Sequence, residues 1–416
     1  MKVLWLAHAI PYPPRAGFLL RSYNLLRELA RYQTVDLIAF IQEPWVRTLF
    51  PSLDEGLEES RRALSEFCRS VTFLPIDRVA RPLGKQRTAV EALLGGDSYS
   101  TSWLVSDRGR KAIGKQLAVD SYDLVHFDTV GLAPYRELVH RAPATLTHHN
   151  IESHMMMRRA TSATTAVARA YFRHESMKLR AVEKDTATAF AAHITCSELD
   201  SIRLREIVPN VNAVVVPNGV DCEFFNSAGA QPCPNSLAFV GTMNWYPNVD
   251  AMQFFLREVW PALKQQLPAL TLDIAGSNPP SSIVQLGNSL AGVTVHGYLP
   301  DIRPMVDSAA VFVCPIRDGG GTKLKILDAF AMRKCVVAHP VACEGIDVTP
   351  GRDVIFASTA QEFIAALLAL LDDPARREAV GTAARALVEK QYSFRAIGAQ
   401  FSSMLEEMAA RDAAQR

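Results

Sequence analysis

Alternation of apolar strand-like runs with helix-period segments, twice over along 416 residues, predicts an α/β protein of two doubly wound, parallel-sheet (Rossmann-like) domains. Length supports the duplication, because a chain of this size exceeds what one hydrophobic core usually serves. A turn-rich stretch in mid-chain, where apolar periodicity lapses, supports it further. Hydrophobic content of 49% with 21% charged residues is ordinary for a globular protein and excludes disordered or collagen-like chains.

The opening is a βαβ unit. Lys2 to His8 reads as a strand rather than as a signal peptide, since prolines at 11, 13 and 14 follow and a small-residue cleavage pattern is missing. A helix-period segment runs from Leu19 to Tyr32, and Val35 to Gln42 is strand-like again. The loop between them ends at Gly17, with Arg21 soon after, at the strand's carboxyl end, where open parallel sheets bind ligands. Taken alone, these two read as a turn and a surface helix residue.

Helices are expected over Leu53–Arg69, Lys85–Leu94 and Asp107–Leu117, and strands at Val71–Pro75, Asp123–Phe127 and Ala144–His148. His126 reads as a satisfied core histidine. His148, His149, Asn150 and Glu152 cluster where a strand leaves its sheet, and so many polar groups there favour a site over burial. The order HHxxE is not the HExxH zinc signature, so no metal site is expected.

Met155 to Lys184 predicts a long helical region. From Arg158 it carries seven basic residues against Glu175 and Glu183. Such a segment reads first as a solvated face, and second as one compatible with peripheral contact to an anionic membrane. Strands His193–Cys196 and Val214–Val216 complete the first half, which closes on the turn Pro217-Asn-Gly-Val-Asp221. The predicted organisation is a first domain over 1–222, a linker over 223–236, a second domain over 237–392 and a last helix, 393–416, that packs back on the first.

In the second half, strands are expected at Leu237–Val240, Leu270–Ala275, Val293–His296, Ala310–Pro315, Val336–His339 and Val354–Phe356, with helices over Asp250–Gln266, Ser358–Leu371 and Ala375–Lys390. Gly241 and Gly276 end strands, and Gly297 ends another before Tyr298. Each of these ends could admit a nucleotide close to the backbone.

The richest segment is Pro315 to Met332, PIRDGGGTKLKILDAFAM. A buried strand runs into three glycines, Gly319, Gly320 and Gly321, and then into a helix that Thr322 is placed to cap. Backbone N–H groups at such a turn, the helix N-terminus, and the charges of Lys323 and Lys325 together suit a diphosphate. Asp328, three residues on from Lys325, could accept hydrogen bonds from a ribose.

Net charge is +1, mildly basic before Cys222 and mildly acidic after it, with no charge block; nucleic acid is not an expected partner. Seven scattered cysteines without a CxxC pair suggest neither a disulfide framework nor zinc, and point to a reducing, cytoplasmic setting. His8-Ala-Ile-Pro11 stands where a dinucleotide fold would carry GxGxxG, and no GxxxxGK[ST] loop is present.

Together, the proline-rich loop with Gly17 and Arg21, the HHN-x-E cluster, SELDSIR, VVVPNGVD, GTMNWYPNVDA, HGYLPDI, PIRDGGGTKLKILDAFAM and VVAHPVACEGI resemble the retaining family-four glycosyltransferases of the GT-B fold, over essentially the whole chain. That resemblance implies two Rossmann-like domains facing across a cleft. A nucleotide sugar would bind the second, a saccharide or lipid-linked acceptor the first, and neither a cofactor nor a metal would be needed. Asp328 stands where the family has the second glutamate of its E-x7-E pair, while the first falls on Gly320. The family's basic pair after the second domain's first strand is absent, with Thr242 and Pro247 in that region. A subgroup with a GGGT-basic-x-Lys loop fits better, and there Lys323 and Lys325 would hold the diphosphate.

On this resemblance His149, Lys325 and Asp328 are the catalytic candidates. Gly17, Gly241, Thr242, Gly276, Tyr298, Gly320, Gly321, Thr322, Lys323, Lys325 and Asp328 would line the donor site, and Arg21, Asn150 and Glu152 the acceptor site. The implied reaction is attack by an acceptor hydroxyl from the leaving-group side, in cell-surface polysaccharide or glycolipid assembly on the cytoplasmic face of the membrane. Rival readings are a nonhydrolysing nucleotide-sugar epimerase of the same architecture and a two-lobed, non-enzymatic binding protein.

Overall fold

The computed structural model describes residues 1–14, 17–77, 84–163, 165–227, 229, 231–319 and 321–415. It divides into two compact units, Met1–Pro217 with Ile397–Arg416, and Asn218–Ala396. The chain therefore passes between them twice.

Seven strands form the first sheet: β1 (Lys2–Ala7), β2 (Thr34–Ile41), β3 (Ser70–Pro75), β4 (Leu124–Phe127), β5 (Ala144–His148), β6 (Ala192–Thr195) and β7 (Ala213–Val215). Their spatial order is β3-β2-β1-β4-β5-β6-β7, and every pairing is parallel. Helices cover both faces of such a sheet, so its central strands read as continuous apolar runs. β1 shows this: from Val3 to Ala7 each side chain is fully buried. Strand order reverses between β1 and β4, whose carboxyl ends diverge and leave room for a site.

In the second unit β8 (Cys233–Val240), β9 (Thr271–Ala275), β10 (Val293–Gly297), β11 (Ala309–Cys314), β12 (Val336–Ala338) and β13 (Ile355–Phe356) form a parallel sheet in the order β10-β9-β8-β11-β12-β13. The same topology recurs, with the switch point between β8 and β11.

Several boundaries differ from expectation. The division comes at Pro217, ahead of Cys222, because Val220 is fully buried in the second unit's core and bridges to Ser393. Arg385 fixes the following residues, donating to the carbonyls of Cys222 (3.1 Å) and Phe225 (2.9 Å). The expected linker is partly strand, since β8 starts at Cys233.

The helical region expected from Met155 to Lys184 is a pair of helices, Glu152–Ser162 and Ala166–Thr186. Thr165 starts the second, its hydroxyl accepting from the Ala168 N–H at 3.2 Å; hydroxyl residues favour caps over helix interiors. The final helix, Phe394–Gln415, belongs to the first unit from Ile397 on. There Phe401 packs edge-on to Trp5, ring centroids 6.1 Å apart, and Gln33 donates to the Ser402 hydroxyl at 2.7 Å. Among the described residues no helix is long and apolar enough to cross a membrane.

Candidate functional site

Polar side chains gather at both switch points. In the second unit, β11 runs into the glycine turn, and the helix that follows is Leu324–Ala331. Gly319 and Gly321 take φ of +111° and +74°, which side-chain-bearing residues rarely adopt. Gly320 lies outside the described residues. The helix starts one residue later than the reading of Thr322 as its cap required. Lys323 occupies that position, without a side-chain cap, and the buried Thr322 Oγ1 has no hydrogen-bond partner.

Lys323 also departs from expectation. It is buried, and its ammonium donates to the carbonyls of Gly319 (2.6 Å) and Gly321 (2.9 Å). A positive charge turned onto the loop's own carbonyls braces the turn rather than pointing outward.

Lys325 sits differently. Its Nζ donates to Asn248 Oδ1 at 2.6 Å and lies 4.6 Å from the centre of the Phe239 ring. Asn248 is itself fixed, its amide donating to the Thr242 carbonyl at 2.8 Å. A Cβ at Gly241 would come within 2.4 Å of that ammonium, so glycine there admits the lysine. Burial lowers the Lys325 pKa to about 8, and burial raises the Asp328 carboxyl to about 7 against the pull of Lys325. Both line one small pocket with Val240, Ile302, Val306 and Phe312. A desolvated amine without a full counter-charge beside it favours any anion that supplies one.

Gly276 answers to packing. A Cβ there would fall 1.7 Å from the Gly241 carbonyl oxygen, because the ends of β8 and β9 are in close contact. Thr242 is exposed, and Tyr298 is 59% exposed; neither touches Lys325 through a hydrogen bond.

In the first unit, His8 follows β1, Asp128 follows β4 and His149 follows β5. Asp128 Oδ1 lies 3.4 Å from His149 Nε2 and Oδ2 lies 3.9 Å from His8 Nδ1, while Ser22 donates its hydroxyl to Oδ2 at 2.6 Å. Burial works against charge on His149, yet Asp128, with Cys196 adding to it, raises its pKa to about 10. Burial lowers His8 to about 4, so His8 stays neutral beside an imidazolium–carboxylate pair. Donor atoms of His8, Asp128 and His149 lie within 4.8 Å of one another, spacing that could admit a cation. Two such neighbours, His8 and Asp128, thus stand beside His149. A doubly protonated His149 has no lone pair to give, so a cation binding here would first have to displace that proton.

His148 does not join it. Its Nε2 lies 2.9 Å from His193 Nδ1 inside the core, and burial keeps both rings neutral. His126 is a core histidine as read, bonded to Thr145 at 2.9 Å. Asn150 is exposed. Glu152 opens the helix Glu152–Ser162, and burial, with Glu183 adding to it, raises its carboxyl to about 7.

Arg21 is the clear correction. It is 2% exposed, and its guanidinium donates to the carbonyls of Val216 (2.7 Å) and Pro217 (2.6 Å). It holds the chain where it leaves β7 and is not presented to an acceptor. Gly17 is the first residue of the helix Gly17–Leu29.

Asp128, His8 and Asn248 were missed by sequence reasoning. The first two carry one signal, a polar residue directly after an apolar strand at the switch point. Asn248 lies in the quoted segment GTMNWYPNVDA, but nothing there points it at Lys325.

Residues 234–373 match the family described as Glycosyl transferases group 1. A curated relative, the uncharacterized 44.6 kDa protein in the cps region of Klebsiella pneumoniae, is 22% identical over 180 residues, which span 41% of this chain and 45% of that protein. The chain thus spans about half the length of the curated relative it matches. Similar solved structures include sucrose-phosphate synthase from Thermosynechococcus elongatus (TM-score 0.68, 16% identity, 99% of this chain and 100% of that one). Anabaena HepE in complex with UDP and glucose is another (0.62, 14%, 98% and 99%). A variant of S. aureus TarM in complex with fondaparinux, alpha-GlcNAc-glycerol and UDP is a third (0.65, 11%, 97% and 99%). At such identities the likeness shows the fold, two parallel-sheet Rossmann-like domains of the GT-B type.

Proposed function

We propose that this chain is a glycosyltransferase that moves a sugar from a nucleotide-diphosphate sugar to an acceptor hydroxyl, with retention of anomeric configuration. The observation that carries the reading is the desolvated Lys325 with Asp328 and Asn248 at the second sheet's switch point, inside the segment that matches Glycosyl transferases group 1. Anabaena HepE and S. aureus TarM, of the same fold, have been solved with UDP.

Negative charge grows on the diphosphate as the glycosidic bond breaks. A preorganised ammonium and the N–H groups of the glycine turn stabilise that charge most in the transition state, where it speeds the reaction. Asp328 is offered for the ribose, and Lys323 as the brace that keeps the turn open. From the first unit, His149 is offered for the sugar, and Asn150 and Glu152 for the acceptor. Unlike retaining glycosidases, which use a carboxylate pair roughly 5 Å apart, this scheme needs no protein nucleophile. The departing phosphate takes the acceptor's proton.

Assembly of cell-surface polysaccharide or glycolipid is proposed from the family resemblance. Seven free cysteines support a reducing, cytoplasmic location.

The test is turnover of UDP-, GDP-, ADP- and CMP-linked sugars with a panel of saccharide and lipid-linked acceptors, read by nucleotide release and by the anomeric configuration of the product. Transfer with retention supports the reading. Epimerised nucleotide sugar formed without acceptor, or tight binding without turnover across the panel, contradicts it.

A further inference from the structure

Apart from Glu152, the hairpin Glu152–Ser162 and Ala166–Thr186 is left over from the transfer reading. Its sequence carries seven basic residues from Arg158 to Lys184 against two glutamates, but the structure takes both acids off the surface. Glu175 is 5% exposed and Glu183 fully buried. Glu175 accepts from the Ser98 hydroxyl (2.8 Å) and from the Ser100 N–H (3.2 Å), and so caps the turn Tyr99–Ser102. Glu183 accepts from the Ser153 N–H at 3.1 Å. Between Arg158 and Lys184 the outward face therefore carries cations and no acid, and Asp185 is the first exposed acid beyond it.

Helical spacing sets Arg169, Arg173, Met177, Arg180 and Lys184 along one exposed stripe of Ala166–Thr186. Apolar side chains stand out of the same region, Met177 within the stripe and Val167 at the helix start, 81% exposed. Lys178 extends the patch sideways by donating to the carbonyls of Ala92 and Gly95 (2.6 Å to the latter). That contact brings in the end of the helix Gly84–Leu94, where Val90 and Leu93 are exposed and Leu94 is 83% exposed.

We infer that this face of the first unit docks on an anionic lipid bilayer. Arginine and lysine heads suit the phosphates of the surface, and Leu93, Leu94, Val167 and Met177 suit the boundary between headgroups and acyl chains. A second copy of the same face would set like charges against each other. Protruding leucines have no role on a nucleic-acid backbone, where phosphate contacts dominate. The inference is independent of the transfer chemistry, since Lys325, Asp328, His149 and Glu152 take no part in it.

Flotation of the full chain with vesicles of phosphatidylcholine, with and without phosphatidylglycerol, tests it across a salt series. Binding is expected only to the anionic vesicles, and it weakens as salt rises. Each basic residue removed should weaken partition about fivefold, so Arg173→Ala, Arg180→Ala and Lys184→Ala together should cost on the order of 100-fold. Leu94→Ser with Val167→Ser should weaken it independently, while circular dichroism stays unchanged because these side chains are exposed. No flotation at low salt overturns the inference, as does flotation indifferent to both sets of substitutions. A dimer by light scattering that the Leu94→Ser, Val167→Ser pair dissolves would give the face to a second copy instead.

Discussion

The two switch points carry ionisable clusters that reach opposite electrostatic states. Beyond β1 and β4, Asp128 and His149 neutralise each other inside the first unit, and Ser22 completes the carboxylate's shell. Past the ends of β8 and β11, Lys325 is held by a neutral amide, with burial lowering its pKa to about 8 and raising that of Asp328 to about 7. The first cluster is complete as folded. The second has no fixed, fully ionised partner for its amine, and an anion such as a diphosphate would supply that counter-charge. Equivalent topology thus leaves one strand-end cluster paired within the fold and the other with a counter-charge to gain.

The sharpest way to break this contrast is Lys325→Ala. Losing an interaction made mainly in the transition state should lower kcat/KM for transfer by roughly 100-fold or more. Calorimetric stability should change little, because a buried amine costs desolvation in the folded state. A drop in stability with activity per folded molecule intact would mean that Lys325 is structural.

Arg21→Met is the converse test. It leaves the carbonyls of Val216 and Pro217 without their charged donor, and the expected cost is about 3 kcal/mol in urea denaturation. Saturation by acceptor should be unchanged for the molecules that remain folded. An acceptor KM raised many-fold at unchanged stability would return Arg21 to the acceptor site.

A smaller effect sharpens the first cluster. His149 has its pKa raised from 6.5 to about 10, so its stabilising contribution is complete below about pH 6.5 and is lost as pH rises through about 10. In Asp128→Asn, burial alone should bring that pKa below the ordinary value, and the stability loss over this window should vanish. Nitrogen-detected NMR of the imidazole with pH-dependent denaturation reads both. Glu152→Gln should have the least effect, since a carboxyl at about 7 is already half protonated near neutrality. A general base lost there would instead cost ~100-fold or more.

Much of the architecture is legible in the amino-acid sequence. Apolar runs such as Val3 to Ala7 and Ala309 to Cys314 are buried on both faces and read directly as parallel strands, and glycines after β11 announce a turn in which Gly319 and Gly321 take positive φ. Side-chain direction is not legible. Arg21 and Lys325 look alike as basic residues in the first turns of helices after strands, yet one points at carbonyls of a distant crossover and the other at Asn248. Neither partner is near in sequence. Lys323 and Lys325 present the same difficulty two residues apart, since helical geometry turns one onto the loop and the other into the pocket. His148 and His149 do so at adjacent positions: strand alternation sends one into the core against His193, and the strand's end leaves the other beside Asp128.

Isothermal titration of UDP, GDP, ADP and CMP into the wild type and Lys325→Ala, at pH 8.5 in buffers of different ionisation enthalpy, tests the central claim most directly. An anion that supplies the counter-charge raises the lysine's pKa, so one nucleotide class should bind with proton uptake. Both affinity and uptake should be lost in the variant. Equal binding by the two proteins, with no proton taken up, would contradict the account.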